Sequence, residues 1–438
     1  MKKHLALTLF LVSSLLACRP DPDEIEVGEL QRISQVPFVL EPHIAVNPTN
    51  PEHVAAVVIS TQSEEPSAEW TLVVYTSEDA GQTWLEQEPF PNLSNSHSAD
   101  GAVGFSLEGE LYVVGLWGQG LIGFNHGNND SSLDAAKMVM VESQRGGDKP
   151  WLTVHPQNGT IFVPYSGIDP TFQYQGIWLR QSSDGGETWS DALMLEEGVV
   201  VDEWVGGQAI PPFGSQAMIG QGDNIAVAWT WAPGYDTWPA GVWIATSTDG
   251  GQTFAPAQQI AETWRIISTA FHEGTYYIVY QQEHEQAQAL FVAVSDDNGQ
   301  SWQHHLVSGD VPLFLDLDKA PGVDVAPNGT IDVVFYAYTE GQECKDEAAY
   351  RQRRVEGWID TCHYHLYYTY SQDKGQTFSE PLKINEQPIL GERFVRTRGS
   401  SRPGEYIGMA STDEFAYPIW IDTQGEEGTQ AYTVQIRR

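Results

Sequence analysis

The chain has 438 residues, and 59 acidic against 22 basic side chains give it a formal charge of −37. A surface so acidic repels nucleic acid and anionic membrane, which excludes both as direct partners. Any anionic ligand would need a local cluster of the few basic residues.

In chain order, the first signal is Lys2 and Lys3 ahead of an apolar run from Leu5 to Leu16, the pattern of an export signal removed before folding. Leu15-Leu16-Ala17-Cys18 resembles a bacterial lipobox, which implies cleavage before Cys18 and a lipidated cysteine as the anchor. Arg19 follows, and by resemblance to Gram-negative lipoproteins the outer membrane or cell surface is the expected destination. On this reading residues 1–17 are the signal peptide, 18–29 an acidic tether and 30–438 the folded body. The membrane is then met only through lipid.

Seven units follow, each an alternating apolar run, a Gly or Asn turn, and a second alternating run. They begin at His43, Ala102, Trp151, Ala217, Ile267, Gly322 and Ile407. In five of them a third run leads into one pattern, first seen as Ser77-Glu-Asp79-Ala-Gly81-Gln-Thr83-Trp84 and repeated at 182–189, 247–254, 295–302 and 371–378. As a hairpin turn the pattern makes physical sense. The Asp accepts backbone N–H groups, the Gly takes a positive φ, and the closing aromatic fills the gap between sheets. In the second unit Ser143-Gln-Arg145-Gly-Gly147 reads as a decayed copy with Arg in place of Asp. The seventh unit stops after Ala431-Tyr-Thr-Val-Gln-Ile436, one strand short, and residues 27–39 are expected to supply the missing edge. The result is an all-β, seven-bladed β-propeller with four strands per blade.

The five boxes resemble the Asp-box, or BNR, repeat of the sialidase superfamily. Asp148-Lys149-Pro150-Trp151, Gly404-Glu405-Tyr406-Ile407-Gly408 and Ala45-Val46-Asn47-Pro48-Thr49-Asn50-Pro51 resemble recurring segments of exported bacterial proteins grouped with it. The resemblance implies a propeller whose boxes lie away from the substrate pocket, with six blades as the alternative because sialidase domains have six. It implies an exo-acting glycoside hydrolase of exo-α-sialidase type, working on extracellular glycans or glycoproteins; a monomer without cofactor is the expectation, and no metal ligands are picked out. A noncatalytic propeller that binds glycan or protein is the alternative, since fold does not dictate function.

Inner strands of a propeller begin near one mouth of the central channel. Charged and polar residues recur there: Glu41 and His43, Asp100, Asp148 and Lys149, Gln208, Arg265, Asp316 with Asp318 and Lys319, and Glu405 with Tyr406. Asp100, Asp148, Glu405 and Tyr406 are the candidate catalytic groups, and Lys149, Arg265 and Arg402 the candidate substrate contacts. Glycosidic cleavage ordinarily needs two carboxyls, with Tyr-nucleophile sialidases as the exception. The superfamily's Arg-Ile-Pro has no counterpart, because Glu41-Pro42-His43 occupies that region, and the full Arg triad is not found. Cys344 and Cys362 remain as a pair in an exported protein and bracket a charged insertion, 345–360. A disulfide is the expectation and two free thiols the alternative. Trp231, Tyr235 and Trp238 share a Pro- and Gly-containing loop, either a glycan platform or a packed loop.

Overall fold

The computed structural model describes residues 25–61, 69–91, 97–118, 120–128, 131–168, 174–200, 210–232, 240–263, 267–285, 287–311, 313, 320–339, 362–394, 396–397, 400–401, 406–425 and 428–438. Seven antiparallel sheets of four or more strands stand around one axis as a seven-bladed propeller, which rules out the six-bladed alternative. Blade 1 runs outward through Phe38–Asn47, Asn50–Thr61, Trp70–Ser77 and Leu85–Gln87. The inner strands of blades 2 to 7 are His97–Phe105, Gly146–Asp148 with Thr153–Val154, Ile210–Ile219, Ser268–His272, Gly322–Val325 and Gly408–Ser411. They touch one another in ring order, the last against the first.

Strand alternation explains where the core lies. Along Asn50–Thr61, Val54, Ala56 and Val58 pack toward blade 7, while Ala55, Val57 and Ile59 pack toward blade 2. Successive side chains point to opposite faces, so a strand buried on both faces reads as an apolar run. The core is therefore a set of apolar layers between blades, each joining a blade to its neighbour.

The ring closes as the missing strand of the seventh unit requires. Gln31 and Arg32 pair with Thr433 and Tyr432 as the outermost strand of blade 7. Glu26 and Val27 pair with Arg437 and Ile436, so strand pairing begins inside the stretch expected to be a tether. The Val39 N–H also donates to the Thr429 carbonyl at 3.1 Å. Cys18, Cys344 and the insertion 345–360 lie outside the described residues.

All five boxes share one set of bonds among the first hydroxyl, the Asp, the Gly N–H and the second hydroxyl, and the first two copies add an indole bond. In the second copy the Ser182 hydroxyl donates to Asp184 Oδ1 (2.7 Å) and accepts from the Gly186 N–H (2.9 Å). Thr188 donates its N–H to Oδ1 (3.0 Å) and its hydroxyl to Oδ2 (2.5 Å), and the Trp189 indole donates to the Gly186 carbonyl (3.1 Å). With its acceptors filled, the Asp184 carboxyl is held at about 2, first by the Thr188 hydroxyl. Gly186 has φ +92°, and a Cβ there would lie 2.1 Å from Phe124 of blade 2.

Blade 2 corrects one expectation. Its third strand ends at His126, so the box position falls at the following turn, where the Asn128 N–H donates to the Ser132 carbonyl at 2.9 Å. Residues 143–147 instead lead from the outer strand of blade 2 into blade 3. Arg145 pairs there with buried Glu142 at 2.8 Å and stacks over Trp178 at 4.2 Å. It is a cation in a salt bridge between blades, not a degraded turn residue.

Candidate functional site

The inner strands of blades 1 to 4 each carry a bulge at the same level. In blade 1 the register jumps from Leu40–Ile59 to His43–Val57, so Glu41 and Pro42 face a single partner residue. In blade 2 Asp100 and Gly101 do the same between Ala99–Leu116 and Ala102–Val114. In blade 3 the regular pairing breaks after Asp148–Ser166 and resumes at Thr153–Phe162, with Lys149 and Pro150 in the gap. Blade 4 repeats the bulge with Gly214 and Ser215.

A bulge of this kind puts its first residue in the left-handed region, the natural place for glycine. Blade 4 has Gly214 there, at φ +66°. The other three blades have charged residues instead: Glu41 at φ +51°, Asp100 at +49° and Lys149 at +49°. A non-glycine residue held in that region costs on the order of 1 kcal/mol or more, and such strain clusters at functional sites.

The three strained residues meet. Lys149 Nζ lies 2.7 Å from Glu41 Oε2 and 2.9 Å from Asp100 Oδ1, and its backbone N–H reaches Asp100 Oδ2 at 3.4 Å. All three are at least nine-tenths buried. Burial alone would push the Asp100 carboxyl up. The Lys149 ammonium and hydrogen bonds from Glu41, Asp148 and Lys149 outweigh it, and hold Asp100 below the ordinary carboxylate range.

An aromatic wall adjoins the triad. The Tyr406 ring lies under the Lys149 ammonium, 5.2 Å from nitrogen to ring centre, and meets Trp151 edge-on at 5.6 Å. Trp151 in turn meets His43 at 4.8 Å. Burial pushes the His43 imidazole down to about 4, and its Nδ1 accepts from the Val103 N–H at 3.3 Å, so it stands neutral. Asp148, Trp151 and His43 keep partial exposure, whereas Tyr406 is buried.

The cluster lies on the side of the ring opposite the boxes. Ser77 of the first box pairs with Val54, which pairs with Val46. Glu41 comes five residues earlier, roughly 16 Å away at ~3.3 Å per residue. In blade 3, Ser182 pairs with Ile161, which pairs with Val154, again five residues past the bulge.

The structure thus brings together Asp100, Asp148, Lys149 and Tyr406 of the expected residues. Arg265, Arg402 and Glu405 lie outside the described residues, as do Gln208, Asp316, Asp318 and Lys319. Lys149 departs from its expected part: it is engaged by two carboxylates rather than held out for substrate. Glu41 was legible only as one polar strand start among several. Arg393 donates to the carbonyls of Thr423 (2.6 Å) and Gly425 (2.5 Å) in blade 7. Of the aromatic loop, Trp231 packs against Trp243 at 4.9 Å, while Tyr235 and Trp238 are outside the described residues.

Comparison with known proteins bears on the fold. The sequence profile of the BNR repeat-like domain matches residues 128–426. No curated protein matches the chain in sequence. Among solved structures the chain is similar to the endosialidase of phage phi92, at 11% identity over 94% of this chain and 69% of that one, with a TM-score of 0.52. The alpha-L-arabinofuranosidase of Fusarium graminearum, solved with arabinobiose, is 12% identical over 93% and 98%, with a TM-score of 0.49. The Trypanosoma rangeli sialidase, solved with the inhibitor DANA, is 12% identical over 91% and 55%, with a TM-score of 0.42.

Proposed function

We propose, from the premise that the chain belongs to the BNR repeat-like domain family, that it is an exported, lipid-anchored propeller that cleaves extracellular glycans at the inner-strand cluster of blades 7, 1, 2 and 3. The observation that carries this reading is the strain. Three charged residues occupy left-handed bulge positions where blade 4 has glycine, and all three side chains meet in one ion triad. A propeller needs the bulge but not the charges.

The chemistry follows from the charges and the exposure. Asp100 stays ionised beside Lys149, and Asp148 is the partly exposed carboxyl of the cluster. Asp148 is on this reading the general acid for a leaving glycosidic oxygen, and Trp151 offers a ring face for the sugar. Glu405 and Tyr406 are the candidates for the opposing group. Hydrolysis of a panel of fluorogenic glycosides, sialosides included, tests the reading. Asp148→Asn should lower the rate by about 10²-fold or more, and Tyr406→Phe should lower it comparably. Full activity in both variants removes the cluster from the chemistry.

A second reading, a noncatalytic propeller that binds glycan, is favoured by the burial of Tyr406, which is 5% exposed. A protein that binds saccharides but cleaves none of the panel decides for it. The anchor is tested separately. Growth with a labelled fatty acid should mark the wild type and leave Cys18→Ser unmarked.

A further inference from the structure

The clasp that completes blade 7 is broken in the middle. Glu26 and Val27 pair with Arg437 and Ile436, and Gln31 and Arg32 pair with Thr433 and Tyr432. Between the two pairs the ladder lapses, and the Gly28 N–H reaches across to the Gln435 carbonyl at 2.8 Å. This break lies against the first box, beside Ala80, Gly81 and Gln82, and a cavity of about 200 Å³ stands there. The same place is filled at the other four boxes. A Cβ on Gly186, Gly251, Gly299 or Gly375 would lie 2.1, 3.0, 3.0 or 3.2 Å from Phe124, Phe162, Thr246 or Val294, each a side chain of the preceding blade. A Cβ on Gly81 would meet, among the described residues, only Trp84 of its own box within 4 Å. Blade 7 leaves empty what the other blades fill.

The lining has hydrogen-bonding capacity to spare. Tyr417, 1% exposed, accepts from Gln435 Nε2 at 3.5 Å and finds no acceptor for its own proton among the described residues. Gln435 Nε2 also donates to the Ala80 carbonyl at 2.6 Å, while the oxygen of that amide has no partner among the described residues. The side-chain amides of Gln31 and Gln82 line the cavity unbonded in the same sense. We infer that this cavity binds one neutral sugar ring, free or at the end of a chain, as a second site on the box face of the propeller. Its volume equals that of roughly six waters and falls below the ~300 Å³ of pockets for larger ligands, which limits it to a single ring. Amides donate and accept, as sugar hydroxyls do, and the buried Tyr417 proton gains the acceptor it lacks. Val434 and the Tyr417 ring supply apolar contact for the ring carbons. The site stands apart from the triad and does not depend on the chemistry proposed there.

Calorimetric titration of the full-length protein, in a detergent without a sugar headgroup, tests this. The probes are galactose, glucose and N-acetylglucosamine, each free and as its methyl glycoside. At least one should bind with a millimolar or lower Kd, and binding of the methyl glycoside identifies a chain end, rather than a free sugar, as the source. Gln31→Trp, which sets a large ring in the cavity, should abolish binding. Tyr417→Phe, which removes the buried hydroxyl, should weaken it about five- to tenfold. Asp148→Asn, on the opposite face, should leave it unchanged. Failure of every probe overturns the inference, and so does binding that survives Gln31→Trp. Binding lost in Asp148→Asn but kept in Gln31→Trp puts the sugar at the triad, which overturns the second site and supports the proposed function. If the two clasp variants do not fold, wild-type crystals soaked in the bound sugar decide. Sugar density beside Gly81 upholds the inference, and density elsewhere, or the chain's own residues in the cavity, overturns it.

Discussion

The box turns and the inner-strand bulges use the same materials, left-handed residues and carboxylates, to opposite ends. A box closes on itself within eight residues: serine, aspartate, glycine and a second hydroxyl residue, Thr or Ser, satisfy one another, and the same bonds recur five times. The charged bulge residues pair with one another across blades, and the bulge residue differs from blade to blade: Glu41, Asp100, Lys149, Gly214. In a repeat protein, what recurs identically serves the repeat. What departs from the repeat at one common level marks the place where the ring does something its blades do not need.

That contrast can be broken at either side. The largest effect is expected from Lys149→Met, which leaves buried carboxyls without their cation and should cost about 3–5 kcal/mol in denaturant unfolding. A loss below about 1 kcal/mol, the level of a surface pair, would mean the triad holds nothing together. Next comes Gly186→Ala in a box. Its left-handed backbone and the approach of Phe124 should together cost about 3 kcal/mol, a failure of packing that leaves ligand binding by the folded fraction unchanged.

Asp324 sharpens the comparison at a third place, the seam of blades 6 and 7. Its carboxyl accepts from the Ser411 N–H at 2.8 Å, near Asp332, which Arg438 and Tyr368 hold. Burial raises the Asp324 carboxyl to about 7, with Asp332 adding to the rise. The folded form then holds a proton that the unfolded chain, titrating near ~3.9, gives up. Stability from this group is full below about pH 4, falls as pH rises, and levels off above about 7. Asp324→Asn should flatten that fall and raise the unfolding midpoint at pH 8, and an unchanged slope would exclude Asp324 as its source.

Smaller still is Asp373→Ala in the last box, whose carboxylate is half-buried at the rim and locally satisfied. Its midpoint should move less than that of Gly186→Ala. The smallest effect is expected from reduction. Non-reducing peptide mass spectrometry should find Cys344 joined to Cys362, and breaking the bond should leave the unfolding midpoint of the propeller almost unmoved, because blades are stabilised by their neighbours.

Much of the fold was legible because blades announce themselves locally. Alternation placed the inner run of unit 6 at 322–325, where the strand lies, and five boxes fixed the outer turns. The second unit hides its turn because that turn closes through Asn128 and Ser132, a different chemistry from Ser-x-Asp, and the nearest Gly-Gly lies in the link to blade 3. The site was legible in part. Polar residues at strand starts picked out Asp100, Asp148, Lys149 and Tyr406. Their pairing was hidden, since nothing in Glu41-Pro42 or Asp148-Lys149-Pro150 declares a left-handed residue where glycine is the usual choice. Which charge meets which across a gap of 108 residues depends on the ring itself.

The clasp between the outer strand at Gln31–Arg32 and blade 7 has a kinetic consequence. Every other joint links blades made one after the other, whereas the bonds between Val39 and Thr429 span 390 residues. Bringing such distant segments together carries a loop-closure entropy that grows only with the logarithm of the span, yet contacts so far apart in sequence form slowly. The early segment must wait, unpaired, until the last blade exists. A protein of this design spends its folding time as an open arc with an exposed strand edge. The rate at which that arc snaps shut, more than the strength of any blade, sets how long it is vulnerable to aggregation and proteolysis.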